Sequence, residues 1–535
     1  MTQIKEGLLA EMDRRVADQI LEPTNAELLK KLIRQADSDN EAMMIAELGT
    51  TYKRTGLHFD KRLERMTDDI HYFRRNKELS FHTDDNKPTH KLIIGDNYQA
   101  MQNLLIEYRG RVDVIYIDPP YGKDSMGEFA QTNYENAITR DNLLSMLYPR
   151  LMLAKMLLSD SGVIFCSIDD KNQAYVKCLF DEVFGENKYI ETFSWVKTST
   201  PANLSKKTKK SVEYILCYSN LDKSVKFKGL SKESSSNNGL MNHTNSVHTL
   251  FFPANKVDTK MDDGIYKKGR YGTKSYEITL EEDTEVKDGY FIKPVKLTGR
   301  FKWSQNNLDK EIENGPRISI KTNAFSPSYD KVEYDPEVPW YIIDKECGVD
   351  TNEVATTEVE SILGAKKFDH PKPMTLVSYL LGFTENNIVL DFFAGSGTTG
   401  HAVLELNRSE RQESDLMNEG KPEGNRTFIL CQLNEKTDTT PNGIAYDVTA
   451  KRLKRIMTGE CYDGTKDFDW LKKNKPYGGN LDVYEIDTVA NFKAIEGETP
   501  FDVIDETLYG LPPFDTLRDK VEWVCSNFQQ TQKTV

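Results

Sequence analysis

"VDVIYIDPPYGK", Val112 to Lys123, is the stretch on which the fold turns. Five of its first six residues are apolar, which suits a buried strand, yet the run closes on an acid, two prolines and a tyrosine. Proline cannot extend a hydrogen-bonded ladder. An aspartate at the mouth of an apolar sheet must be solvated, paired or used.

Outward from that stretch, strands and helices alternate. "KLII" (91–94) runs into "GDN", and Leu143, Leu147, Leu151, Ala154 and Leu158 recur at helical spacing. "SDSG" (159–162) is expected to stop that helix before the strand "VIFCSI" (163–168). A helix with Tyr175, Val176, Leu179, Phe180 and Val183 on one face then closes at Gly185. This alternation predicts an α/β fold with a doubly wound, mostly parallel, Rossmann-like sheet. The pattern returns with the helix "PMTLVSYLLGF" (373–383), the strand "NIVLDFFAGSG" (387–397), a helix from Thr398 and the strand "RTFILCQL" (426–433).

Between the two halves the periodicity breaks up, with "SKESSSNNGLMNHTN" (231–245) as a loop and "DDGIYKKGRYGTKSYEITL" (262–280) as hairpins. The expected organisation is a charged helical N-terminal region at 1–85, core halves at 86–220 and 361–470, an insert at 221–360, and a C-terminal region at 471–535 with no assignable chemistry. In the first region Leu9, Met12, Val16 and Ile20 carry helical spacing, Thr24 with Glu27 reads as a capping box, and "FHTDDNKPTH" (81–90) reads as a linker.

At 535 residues the chain is too long for one core. Its net charge of -14 gives no global reason to bind nucleic acid, so any such binding must be local. Seven cysteines lie scattered without a CxxC, and the eight histidines form no ligand constellation, so no disulfide framework and no metal site is expected. No apolar run reaches membrane-spanning length. The expectation is a soluble, cytoplasmic protein that is not secreted.

"FAGSG" (393–397) is the companion of "DPPY" (118–121): each follows an apolar strand, and in doubly wound sheets such loops open on one crevice. No lysine follows the second glycine, so this is not a phosphate-binding P-loop. With these motifs the chain resembles the S-adenosylmethionine-dependent amino-methyltransferases of DNA, specifically the modification (Mod) subunits of type III restriction-modification systems. The catalytic motif precedes the insert and the cofactor motif follows it, which is that family's beta arrangement. "IIGDNYQAMQNL", "GVIFCSIDD", "FGENKYIETFSWVK", "EYILCYSN" and "FDHPKPMTLVSYLL" fall in the same order, covering most of 91–220 and 366–456.

The resemblance implies transfer of a methyl group to the N6 amine of a flipped adenine in double-stranded DNA. It further implies homodimerisation, a restriction (Res) helicase-nuclease partner, and base choice by the insert. The amine is a weak nucleophile because its lone pair is delocalised, so Asp118 and the Pro119 carbonyl would accept its hydrogens. Pro119 and Pro120 would stiffen the loop, and Tyr121 would stack on the base. Asp96 and Asn97 would face the cofactor's adenine, and Lys372 its carboxylate. Phe393, Gly395 and Gly397 would form the methionine side, Asp391 would stand at the strand mouth, Ala394 would join the cofactor contacts, and Gln432 or Glu435 would be the ribose ligand. Asp96 reads equally as a helix N-cap. Lys197, Lys206, Lys207, Lys209 and Lys210, with no acid among them, are the candidate phosphate contacts. The competing readings are a non-catalytic DNA-binding specificity subunit and an RNA adenine methyltransferase.

Overall fold

The computed structural model describes residues 2–17, 21, 23–48, 69–121, 139–201, 208–220, 227–229, 238–242, 244–273, 276–313, 317–330, 338–385, 387–417, 424–490 and 499–532. By internal packing the chain divides into two compact units. One is Met1–Val225 with Tyr341–Leu380 and Asn386–Val535; the other is Lys226–Trp340 with Leu381–Glu385.

The first unit is built on an eleven-stranded sheet. Its central strands run in the spatial order Asn480–Val489, Thr89–Ile94, Thr427–Gln432, Ile388–Asp391, Val112–Ile117 and Leu158–Ile168, all parallel to their neighbours. Val212–Ser219 and Tyr189–Val196 then extend it antiparallel. Val112, Val114, Ile115 and Ile117 are all fully buried, so the apolar run is covered on both faces. The one acid inside it, Asp113, accepts from the backbone N–H groups of Asn387 (2.9 Å) and Ile388 (3.0 Å), tying the two central strands together at their starts.

These two strands define the switch point. After Ile388–Asp391 the chain crosses through the helix Thr398–Met417 to Thr427–Gln432 on one side. After Val112–Ile117 it crosses through Thr139–Leu157 to Leu158–Ile168 on the other. The sheet parts its connections between them, and their carboxyl ends face the crevice where α/β proteins hold ligands.

Several local expectations are corrected. The three helices of the N-terminal region, Gln3–Ala17, Pro23–Gln35 and Asp39–Leu48, pack on one another, but Ile70–Arg75 is a strand. It pairs antiparallel with Asn480–Val489, because Ile70, Tyr72 and Phe73 have a buried partner face only as a sheet edge. Thr24 sits inside a helix that begins at Pro23, not at its cap. The stretch 81–90 is not only a linker: Phe81–His82 pairs with Asn480–Leu481, and Thr89 opens a core strand. "SDSG" belongs to the strand that begins at Leu158.

The C-terminal region contributes a strand to the sheet. Asn480–Val489 occupies a place inside the sheet, and Tyr509 donates a hydrogen bond to Asn103 (2.7 Å) while accepting one from the Phe73 N–H (2.9 Å). No helix among the described residues is long and apolar enough to cross a membrane.

The second unit carries two further sheets around its own core, which includes Phe252, Val257, Phe291, Phe301 and Phe325. Gly269–Gly272 and Glu277–Leu280 form one of the expected hairpins. The insert was expected to run through residue 360; the first segment of the second unit stops at Trp340, and the helix Asn352–Leu363 belongs to the first.

Candidate active site

Asp118 follows the last residue of the central strand, and its carboxylate is the focus of the site. The Lys372 ammonium lies 2.8 Å from Oδ1 and 2.7 Å from Oδ2, and the Tyr121 hydroxyl also donates to Oδ1. Lys372 reaches the Tyr121 oxygen as well, at 3.2 Å, so its three N–H groups are all engaged. The loop itself is pinned from below, because Asn172 donates to the Tyr121 carbonyl (2.9 Å) and to Asp169 (2.8 Å).

Lys372 is 8% exposed. Burial alone pulls its ammonium down, but the carboxylates of Asp118 and Glu213 outweigh that and hold it above the ordinary lysine value. Glu213, 7% exposed, stands 3.5 Å from Lys372 and takes a 2.7 Å hydrogen bond from Lys197. Burial would push its carboxyl up, and the two lysines hold it below the usual range. The sequence reading placed Lys372 beside the cofactor's carboxylate; the structure places it on Asp118.

The companion loop is equally constrained. Asp391, at the end of its strand, accepts from the Phe393 N–H (2.9 Å) and the Thr399 hydroxyl (2.6 Å). Burial, with a smaller contribution from nearby Asp118, outweighs those two donors and pushes its carboxyl up to about 7. Gly395 has φ +52° and Gly397 φ +79°, a region that suits glycine. A Cβ at Gly395 would press on the Phe368 ring at 3.1 Å. The loop's backbone is held by Thr449 on the Gly395 carbonyl (2.6 Å) and by the buried Arg452 on Ser396. Phe393 is partly buried and Ala394 buried.

Asp96 is a helix N-cap, accepting from the Tyr98 N–H at 2.8 Å. Asn97 donates to the Phe392 carbonyl (2.7 Å), joining this strand end to the glycine loop. The sequence reading missed the residue that organises both: Arg150, fully buried, donates to Asn97 (2.5 Å) and to Asp96 (3.2 Å). Its signal was an arginine among the apolar positions Leu147, Leu151 and Ala154 of one helix. Glu213 was missed too, hidden in a strand sequence.

Gln432 accepts from the Gly395 N–H (2.6 Å) and donates to the Leu433 carbonyl (2.9 Å), so its amide supports the glycine loop. Glu435, three residues on, is partly buried. Of the five lysines, Lys197 is drawn into the buried network on Glu213 and Lys210 pairs with Asp170. Lys209 is exposed, while Lys206 and Lys207 lie outside the described residues. Among the described residues no group of three or more His, Cys, Asp or Glu side chains could hold a metal.

Comparisons with known proteins identify the family. A family profile described as DNA methylase matches residues 112–439, and one of an uncharacterised conserved protein matches 8–114. The type III restriction-modification enzyme StyLTI Mod subunit of Salmonella typhimurium is 30% identical over 70% of this chain, which spans 58% of that protein's length. The EcoPI Mod subunit of Escherichia phage P1 is 28% identical over 81% of this chain and 71% of its own. The solved PvuII DNA methyltransferase (cytosine-N4-specific) aligns with 66% of this chain and 86% of its own at TM-score 0.34 and 10% identity. With both motif loops inside the matched span, which covers most of the chain, the protein belongs to the DNA methylase family.

Proposed function

We propose that the chain is the Mod subunit of a type III restriction-modification system, methylating the N6 amine of a flipped adenine in duplex DNA. The observation that carries the reading is the pair of strand-end loops at the switch point, one presenting Asp118 and the other a glycine turn. The relatives named Mod subunits support the system, and Asp118, as against the serine more usual in cytosine enzymes, supports adenine.

S-adenosylmethionine fits the residues present. Gly395 and Gly397 stand in the left-handed region and carry no side chain, so the backbone at this strand mouth can approach a ligand closely. Bound there, it supplies an electrophilic methyl group. Phe393, Gly395 and Gly397 would hold its methionine side, and Asp96 with Asn97, braced by Arg150, its adenine end. With the Gln432 amide committed to Gly395, Glu435 is the better ribose ligand. Asp118 and the Pro119 carbonyl take hydrogen bonds from the substrate amine and return its lone pair to nitrogen, the prolines fix those acceptors in direction, and the Tyr121 face receives the base.

Sequencing of modified bases in duplex DNA exposed to the purified protein tests this reading. N6-methyladenine in one short sequence context is expected; DNA that is bound but never methylated would favour the specificity-subunit reading, and methylation of RNA alone would favour the other. Pairing of subunits, one reading DNA while the other methylates, is expected from the same resemblance. A solution mass showing only monomer at full activity would count against it.

A further inference from the structure

Lys372 sits where the substrate should act. Asp118 Oδ1 already accepts two donors and Oδ2 one, and the charge on both is matched by the ammonium at 2.7–2.8 Å. During transfer the amine lone pair forms the new N–C bond as the C–S bond breaks toward sulfur. N6 then carries positive charge until one of its protons leaves through Asp118 to water. Two cations on one carboxylate repel each other, and a carboxylate already paired is a poorer acceptor. Lys372 therefore has to leave Asp118 for the amine to use it.

The structure shows where it can go. Glu213 Oε2 is buried 3.5 Å from the ammonium and has no hydrogen-bond partner among the described residues. Its other oxygen is fixed by Lys197 at 2.7 Å, so Oε2, ion-paired with Lys372 but without a hydrogen bond, is held in place. A buried carboxylate oxygen left without a donor is costly, and such an atom calls for an explanation.

We infer that Glu213 is a positioning residue that receives Lys372 from Asp118 when the substrate amine arrives. The inference rests on the methyltransferase reading above. In the state described, Lys372 holds the Asp118 carboxylate in a fixed orientation. In the working state it rests between Glu213 and the edge of the cofactor site, and Asp118 is free for the amine.

The test uses the full chain, with duplex DNA carrying its methylated sequence. In a crystal structure with S-adenosylhomocysteine and that duplex, the Lys372 ammonium should hydrogen-bond Glu213 Oε2 and no longer bridge both Asp118 oxygens. Lys372 still on both oxygens with the adenine in place overturns the inference, whatever any variant does. In single-turnover methylation, Glu213→Gln should lose about tenfold or more in rate with cofactor affinity and KM for DNA little changed. In a Lys372→Met background the same substitution should cost less than about twofold, because Glu213 acts only through Lys372. A wild-type rate for Glu213→Gln, or the same loss in both backgrounds, overturns the inference. A wild-type protein that methylates nothing sinks the methyltransferase reading instead.

Discussion

Asp118→Ala separates an enzyme from a module that only binds DNA. The side chain's partners are Lys372 and Tyr121, not the glycine loop, and Lys372 retains Glu213 when Asp118 is gone. Calorimetry is therefore expected to show near-normal S-adenosylmethionine affinity beside a transfer rate lower on the order of 100-fold or more. Wild-type rate would remove Asp118 from the chemistry, and loss of cofactor binding would make it structural. Asp391 makes a pH prediction. Its folded-state pKa is raised from 3.8 to about 7, so the proton binds more tightly in the folded chain, and the associated stability is lost as pH rises through that window. Asp391→Asn, which removes the titrating proton while keeping an oxygen for the Phe393 N–H and turning an amide NH2 toward the Thr399 oxygen, should flatten the dependence of the melting temperature on pH between 3.8 and about 7; an unchanged slope would contradict the shift. Asp118 and Tyr121 could be read from the sequence because four consecutive residues carry them. The partner of Lys372 could not, since 254 positions separate it from Asp118.

At the scale of elements, the helix Thr139–Leu157 was legible from its apolar spacing, but not its most consequential side chain. Arg150 crosses from that helix to the start of Asn97–Tyr108 and binds both Asp96 and Asn97. Replacing it with leucine removes donors to a carboxylate and a buried amide, costing on the order of 2 kcal/mol of stability. It also loosens the loop proposed to hold the cofactor's adenine. Arg150→Leu should thus weaken S-adenosylmethionine binding while the transfer rate at saturating cofactor changes little. A fall in rate with unchanged affinity, measured by titration and single turnover, would reverse that assignment. The strand Asn480–Val489 was illegible for a related reason: its place between Ile70–Arg75 and Thr89–Ile94 depends on segments about 400 residues upstream.

For the whole molecule, the unit Lys226–Trp340 has its own buried core, which makes exchange of the unit practical. If it carries sequence choice, replacing it with a relative's counterpart should change the methylated sequence, read by modified-base sequencing; an active chimera with the original sequence would refute that role. The sequence by itself determined the alternation of strand and helix, the two strand-end motifs, their order around the insert, and so the family. Those features are local: periodicity, proline and glycine act within a few residues of where they stand. Only the tertiary structure decided the partners of charge, namely Lys372 on Asp118 beside Glu213, Arg150 on Asp96, and Gln432 beneath Gly395. A buried ion finds whichever opposite charge the packed sheet brings within a few ångströms, and no spacing along the chain encodes that distance.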